Sequence, residues 1–136
     1  MTKEKLRNYQ NIKREQQQLR HQLEEIETAL YYPKVQQLTD MPKDHAEGNP
    51  QEDLAIYHIE LQQRYKGKLE ELSAEQLAIE TAIEELEPTA RALLRYRYLD
   101  GLKWEEVCVK LNYSWRQTHR LHGEALKKLR EDDVHV

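Results

Sequence analysis

The chain has 136 residues, of which 34% are charged and 38% hydrophobic, with no Phe. That apolar fraction is too low for one large globular core and suits thin cores such as paired helices. The net charge of −4 is unevenly spread: residues 1–87 hold 11 Lys/Arg against 18 Asp/Glu, and residues 88–130 hold 10 against 4. An overall acidic charge therefore does not exclude nucleic acid, because an acidic module precedes a basic one.

The first predicted helix runs over about 3–30. Tyr9, Ile12, Gln16, Leu19, Leu23, Ile26 and Leu30 follow one another at steps of three and four, a heptad seam with Gln16 as its polar member. No Pro or Gly precedes Pro33. Such a helix is on the order of 40 Å long. Pro33, Pro42, Gly48 and Pro50 then mark a connecting loop over about 31–50.

A second long helix is predicted over about 51–86. Its stripe is Leu54, Tyr57, Leu61, Tyr65, Leu69, Leu72, Ile79, Ile83 and Leu86, with Gly67 as a weak point inside it. Two helices with complementary stripes pair as an antiparallel hairpin, so residues 1–87 read as one module. Ile12, Leu19, Leu23, Ile26, Leu72, Ile79 and Ile83 are the candidates for oligomerisation, with a dimer favoured.

Glu87-Pro88 marks a boundary, since the residue before Pro is pushed out of helical geometry and Pro suits the first turn of a new helix. Three short helices are predicted in residues 88–130. The first carries Leu93, Leu94 and Tyr98 inward, flanked by Arg91, Arg95 and Arg97, and stops at Asp100-Gly101. The second, WEEVCVKL, has Glu105 and Glu106 in its first turn and buries Val107, Cys108 and Leu111. Trp104 is expected to pack between these first two helices. Asn112-Tyr113 forms a tight turn, and Ser114 caps the third helix, whose inner face is Thr118, Leu121, Ala125 and Leu129. Residues 131–136 are a tail.

A helix of about eight residues, a short turn and a capped basic helix make a helix-turn-helix. Its second helix is the one placed in a major groove, where Arg can meet guanine and Gln adenine. The DNA-binding candidates are Ser114, Trp115, Arg116, Gln117, His119 and Arg120, with Lys103 and Lys127 set to meet phosphates. Trp115 reads as DNA-facing or at the rim, and His122 as packing or surface.

These residues carry a resemblance. Leu94-Arg95-Tyr96, Asp100-Gly101, Trp104-Glu105-Glu106-Val107, Leu111-Asn112-Tyr113-Ser114 and Ala125-Leu126 before Leu129-Arg130 are similar, in type and spacing, to the promoter-reading C-terminal domain of bacterial sigma factors. Three positions depart from that pattern. Lys103 stands where Ser or Thr is common, Asn112 where Gly is usual, and Thr118 where Val is common. With Thr39-Asp40-Met41-Pro42 as linker, the whole chain resembles small phage and prophage transcriptional regulators of the ArpU and RinA type. The resemblance implies an all-α protein: a two-helix coiled-coil hairpin followed by a small sigma-like helix-turn-helix domain. It further implies a regulator acting on double-stranded DNA in the cytoplasm of a bacterial host, with RNA polymerase as a second partner. No counterpart of the sigma domain that melts promoters is read in these residues, so the chain is not expected to replace a full sigma factor. Two alternatives stay open: a small terminase subunit that packages phage DNA, and a polymerase-binding protein that does not touch DNA.

Other chemistry finds little support. Cys108 is the single cysteine and reads as a small core residue. His119 and His122 are three apart, but zinc needs three or four ligands, so no metal or cofactor is expected. The four glycines form no phosphate loop, and no catalytic constellation emerges. No run approaches the roughly 20 apolar residues of a membrane span, and no signal peptide is read at the N-terminus.

Overall fold

The computed structural model describes residues 1–32 and 50–134. Among them every regular element is helical, which agrees with the all-α expectation. In chain order these are α1 (Lys3–Arg7), α2 (Tyr9–Tyr31), α3 (Pro50–Glu84), α4 (Pro88–Leu94), a π-helical turn (Arg95–Leu99), α5 (Trp104–Leu111) and α6 (Trp115–Val134). The Thr39-Asp40-Met41-Pro42 linker lies outside the described residues. No described helix is long and apolar enough to cross a membrane.

Several boundaries differ from the sequence reading. The first expected helix is two, because Asn8 interrupts it, although Asn8 N–H still donates to Glu4 O at 3.0 Å and Ile12 N–H to Asn8 O at 2.9 Å. Thr2 starts α1, its hydroxyl accepting from Lys5 N at 3.3 Å. α3 stops at Glu84, and Leu86 N–H closes the last turn on Ile83 O. α6 does not stop at Arg130 but runs to Val134, so the expected tail is partly helix.

The chain divides into two compact units, and the division is not at Glu87–Pro88. One unit joins Met1–Arg14 to Ser73–Val136, and the other is Glu15–Leu72. The reason is that α1 and the start of α2 pack with the basic module. Leu6 is fully buried, Tyr9 Oη donates to Glu80 Oε1 at 2.5 Å, and Gln10 Nε2 donates to Tyr98 O and Leu99 O at 3.1 and 2.6 Å. Tyr9 joined to Glu80 sets the first turns of α2 beside the last turns of α3, as an antiparallel hairpin requires.

In the Glu15–Leu72 unit, Gln16, Ile26 and Leu72 are buried, while Leu19, Leu23, Leu30, Leu54, Leu61, Tyr65 and Leu69 are half-buried. Tyr57 does not join the stripe. It is exposed, as are Ile56 and Ile59. Of the seven oligomerisation candidates, Ile12, Ile26, Leu72, Ile79 and Ile83 are buried within one chain, and Leu19 and Leu23 half-buried. Much of their apolar surface is thus covered within the protomer.

The corner between α3 and α4 is held by Glu84. Its carboxylate pairs with Arg95 and lies 3.9 Å from Arg91, and Arg91 Nη1 donates to the Glu84 carbonyl at 3.3 Å. Glu87 is extended, with φ −58° and ψ 151°, as Pro88 demands. Two of the basic module's arginines are therefore spent on the corner.

Candidate nucleic-acid interface

The helix-turn-helix is α5, a turn at Asn112-Tyr113 and α6. Asn112 takes the left-handed conformation, φ 58° and ψ 42°, and ends α5 there. An Asn side chain tolerates this region better than other non-glycine residues. Lys103 occupies the N-cap of α5 but makes no side-chain cap bond, the cost of having lysine where a hydroxyl would serve. Gly101, at φ +72°, turns the chain before it.

Ser114 and Gln117 form a reciprocal capping box at the start of α6. Gln117 N–H donates to Ser114 Oγ at 3.1 Å, and Ser114 N–H donates to Gln117 Oε1 at 3.0 Å. The S-x-x-Q spacing is the sequence signal for this box, and the same Gln117 is a candidate base reader. Its carbonyl oxygen is occupied, so pairing both amide atoms with adenine would cost the cap. Thr118 fits the inner face without an orphaned hydroxyl, since Oγ1 donates to Ser114 O at 2.9 Å.

Thr118, His122, Ala125 and Leu129 are the buried face of α6. Arg116, Arg120 and Lys127 are exposed on the opposite side, at spacings of four and seven. At 100° per residue they fall within about 40° of arc. None of the three has an ion pair among the described residues, unlike Arg91 and Arg95. Lys103 and Lys110 are exposed on α5 or at its cap. At the start of α6 the amides of Trp115 and Arg116 precede the first intrahelical bond, Thr118 N–H to Ser114 O at 3.0 Å, and so remain open to an outside acceptor.

The aromatic residues gather around the start of α6. Trp104 also reaches α6, its ring sitting 4.4 Å from that of His119 and 4.7 Å from that of His122. Trp115 is 53% exposed and lies 4.3 Å from His119. His119 is thus wedged between two indoles, and its Nε2 is buried with no hydrogen-bond partner among the described residues. His119, a candidate for DNA contact, is half-buried in this stack. Arg97 stacks over Trp104 at 4.8 Å and donates to Leu102 O at 2.8 Å.

Below the stack, Tyr98 Oη and His122 Nε2 share a 2.6 Å hydrogen bond. Burial lowers the His122 pKa to about 4, with Lys3, His119, Arg97 and Arg7 adding charge repulsion. Burial also raises the Tyr98 phenol. Both groups are neutral near pH 7, and the bond needs no counter-ion. Cys108 is half-buried on α5. Among the described residues no three His, Cys, Asp or Glu side chains gather as a metal-binding group.

With this geometry in place the comparison with known families is specific. Residues 69–129 match the sigma-70, region 4 family. The match begins before Pro88 and takes in the last turns of α3, so the region 4-type module is longer than the stretch that carried the sequence resemblance. Over those residues the chain is similar to a sigma-70 region 4 helix-turn-helix. No curated protein and no solved structure matches the chain.

Proposed function

We propose that the protein is a sequence-specific, DNA-binding transcription regulator of phage type that lays α6 in a major groove. The observation that carries this reading is the row of Arg116, Arg120 and Lys127 on the open face of a capped helix, within a region 4-type helix-turn-helix. Arg at the first two turns of such a helix is placed for the N7 and O6 acceptors of guanine. Lys127 and Lys103 add phosphate contacts, and Trp115 lies at the rim. The role is binding rather than catalysis.

A single module of this size has limited reach, so a dimer on two half-sites supplies the remaining affinity. The hairpin's acidic surface is the part offered to a second copy or to RNA polymerase in the bacterial cytoplasm. The test is selection of duplexes from a random pool by the full chain, followed by footprinting of the enriched sequence. Enrichment of one motif, with binding that weakens steeply as salt rises, is expected. An unenriched pool would contradict sequence-specific regulation. Native mass spectrometry should show a monomer or dimer, and a ring of eight or more subunits would instead favour a packaging role.

A further inference from the structure

Burial of Leu6 fixes α1 against the helix-turn-helix unit and brings Lys3 and Arg7 to a cleft of about 240 Å³. Arg97, Tyr98, Gly101 and Trp104 line the same cleft, and no carboxylate does. Glu4 and Asp100 are neighbours in sequence but are not among its walls. The ion pairs among the described residues leave Lys3, Arg7 and Arg97 without an acidic partner. The three cations are also close enough to act on one buried group. Lys3, Arg97 and Arg7 all depress proton binding at His122.

Three like charges around one concavity repel one another, and an anion between them relieves that repulsion. Arg97 is already oriented by its bond to Leu102 O and its stacking on Trp104, so little freedom is lost when it meets a ligand. Two guanidinium forks and one ammonium suit the tetrahedral oxygens of phosphate, which Arg grips bidentately and Lys as a point charge. The volume admits one such group with a few waters.

We propose that this cleft is an anion site that takes a phosphate group, held by Lys3, Arg7 and Arg97. The phosphate comes either from the backbone of a bound duplex or from a free phosphate. In the first case the amino-terminal helix widens the DNA footprint beyond α5 and α6. In the second it makes the module's core responsive to a small ligand, since Trp104 and Tyr98 wall the cleft and also touch α6 through His119 and His122.

The full chain, labelled with ¹⁵N, is titrated with inorganic phosphate at constant ionic strength. A Lys3→Gln/Arg7→Gln variant is titrated alongside. Both side chains are exposed, so the substitutions leave the buried Leu6 contact intact. Duplex affinity is then measured against salt for both proteins. Saturable shifts at Gly101 and the Trp104 indole, lost in the variant, support the site. A salt slope shallower by about one in the variant assigns the phosphate to the duplex backbone. An unchanged slope together with saturable shifts assigns it to a free ligand. Absence of saturable shifts together with an unchanged slope overturns the proposal. If the wild type binds no duplex at all, the regulatory reading fails, while the phosphate titration alone still decides the site.

Discussion

Tyr98 and His122 share a short hydrogen bond across the helix-turn-helix module, between the π-helical turn and α6, with His122 almost wholly buried. The bond ties two elements whose sequence separation is 24 residues. It also makes the module sensitive to acid. In the unfolded chain His122 takes up a proton below its ordinary pKa of 6.5, whereas in the folded chain it stays neutral to about 4. Unfolding therefore absorbs a proton in that window, and stability is full above pH 6.5 and is lost as pH falls toward 4. The loss amounts to roughly 3 kcal/mol by linkage. Urea midpoints measured from pH 7.5 to 4 should fall over this range in the wild type. A His122→Gln variant, though less stable at neutral pH, should show a flatter profile. An identical slope in the variant would exclude His122 as the source.

The capping box makes a second prediction. Ser114→Ala removes the acceptor for Gln117 N–H and should cost about 1 kcal/mol in chemical denaturation. Gln117→Ala should cost less, roughly 0.5 kcal/mol, because one hydrogen bond of the pair survives. It should leave base preference unaltered in a competition assay across single-base variants. Relaxed preference at one adenine position would show that Gln117 leaves its cap to read DNA.

The third prediction concerns the amino-terminal helix. Leu6 is fully buried in the same unit as α4, α5 and α6. Leu6→Ala should cost about 2–5 kcal/mol. It should lower the melting point reported by Trp104 and Trp115, which lie far along the chain. A Trp melting curve that does not move would mean that α1 is not part of the module's cooperative unit.

Much of this was legible before any coordinates. Helical class followed from composition, and the seams of α2 and α3 from apolar spacing. The turn at Asn112 and the cap at Ser114 were visible because single side chains dictate local backbone geometry there. What stayed hidden depends on long-range packing. Nothing in the run Arg95–Leu99 announces the π-helical turn from which Tyr98 meets His122. The heptad seam gives no sign that its first member, Tyr9, and the nearby Leu6 and Gln10 belong with the basic module. Gln10 bonds to backbone carbonyls almost ninety positions away, and no local pattern encodes such a contact. Helix position alone suggests an exposed His119, and the two indoles that half-bury it are not visible in local sequence. The arginines were harder still to sort, since Arg95 and Arg116 look alike until Glu84 claims one of them.

In the proposed function, α6 reads DNA through Arg116 and Arg120. The most direct measurement is the affinity of an Arg116→Ala/Arg120→Ala double variant for the duplex selected by the wild-type chain, compared with an unrelated duplex, at one fixed salt concentration. Both side chains are exposed and unpaired among the described residues, so the fold should persist. A loss of about 2–6 kcal/mol is expected on the selected duplex. The loss on the unrelated duplex should be much smaller, so that discrimination between the two collapses. Wild-type affinity and wild-type discrimination in the double variant would contradict the proposed function.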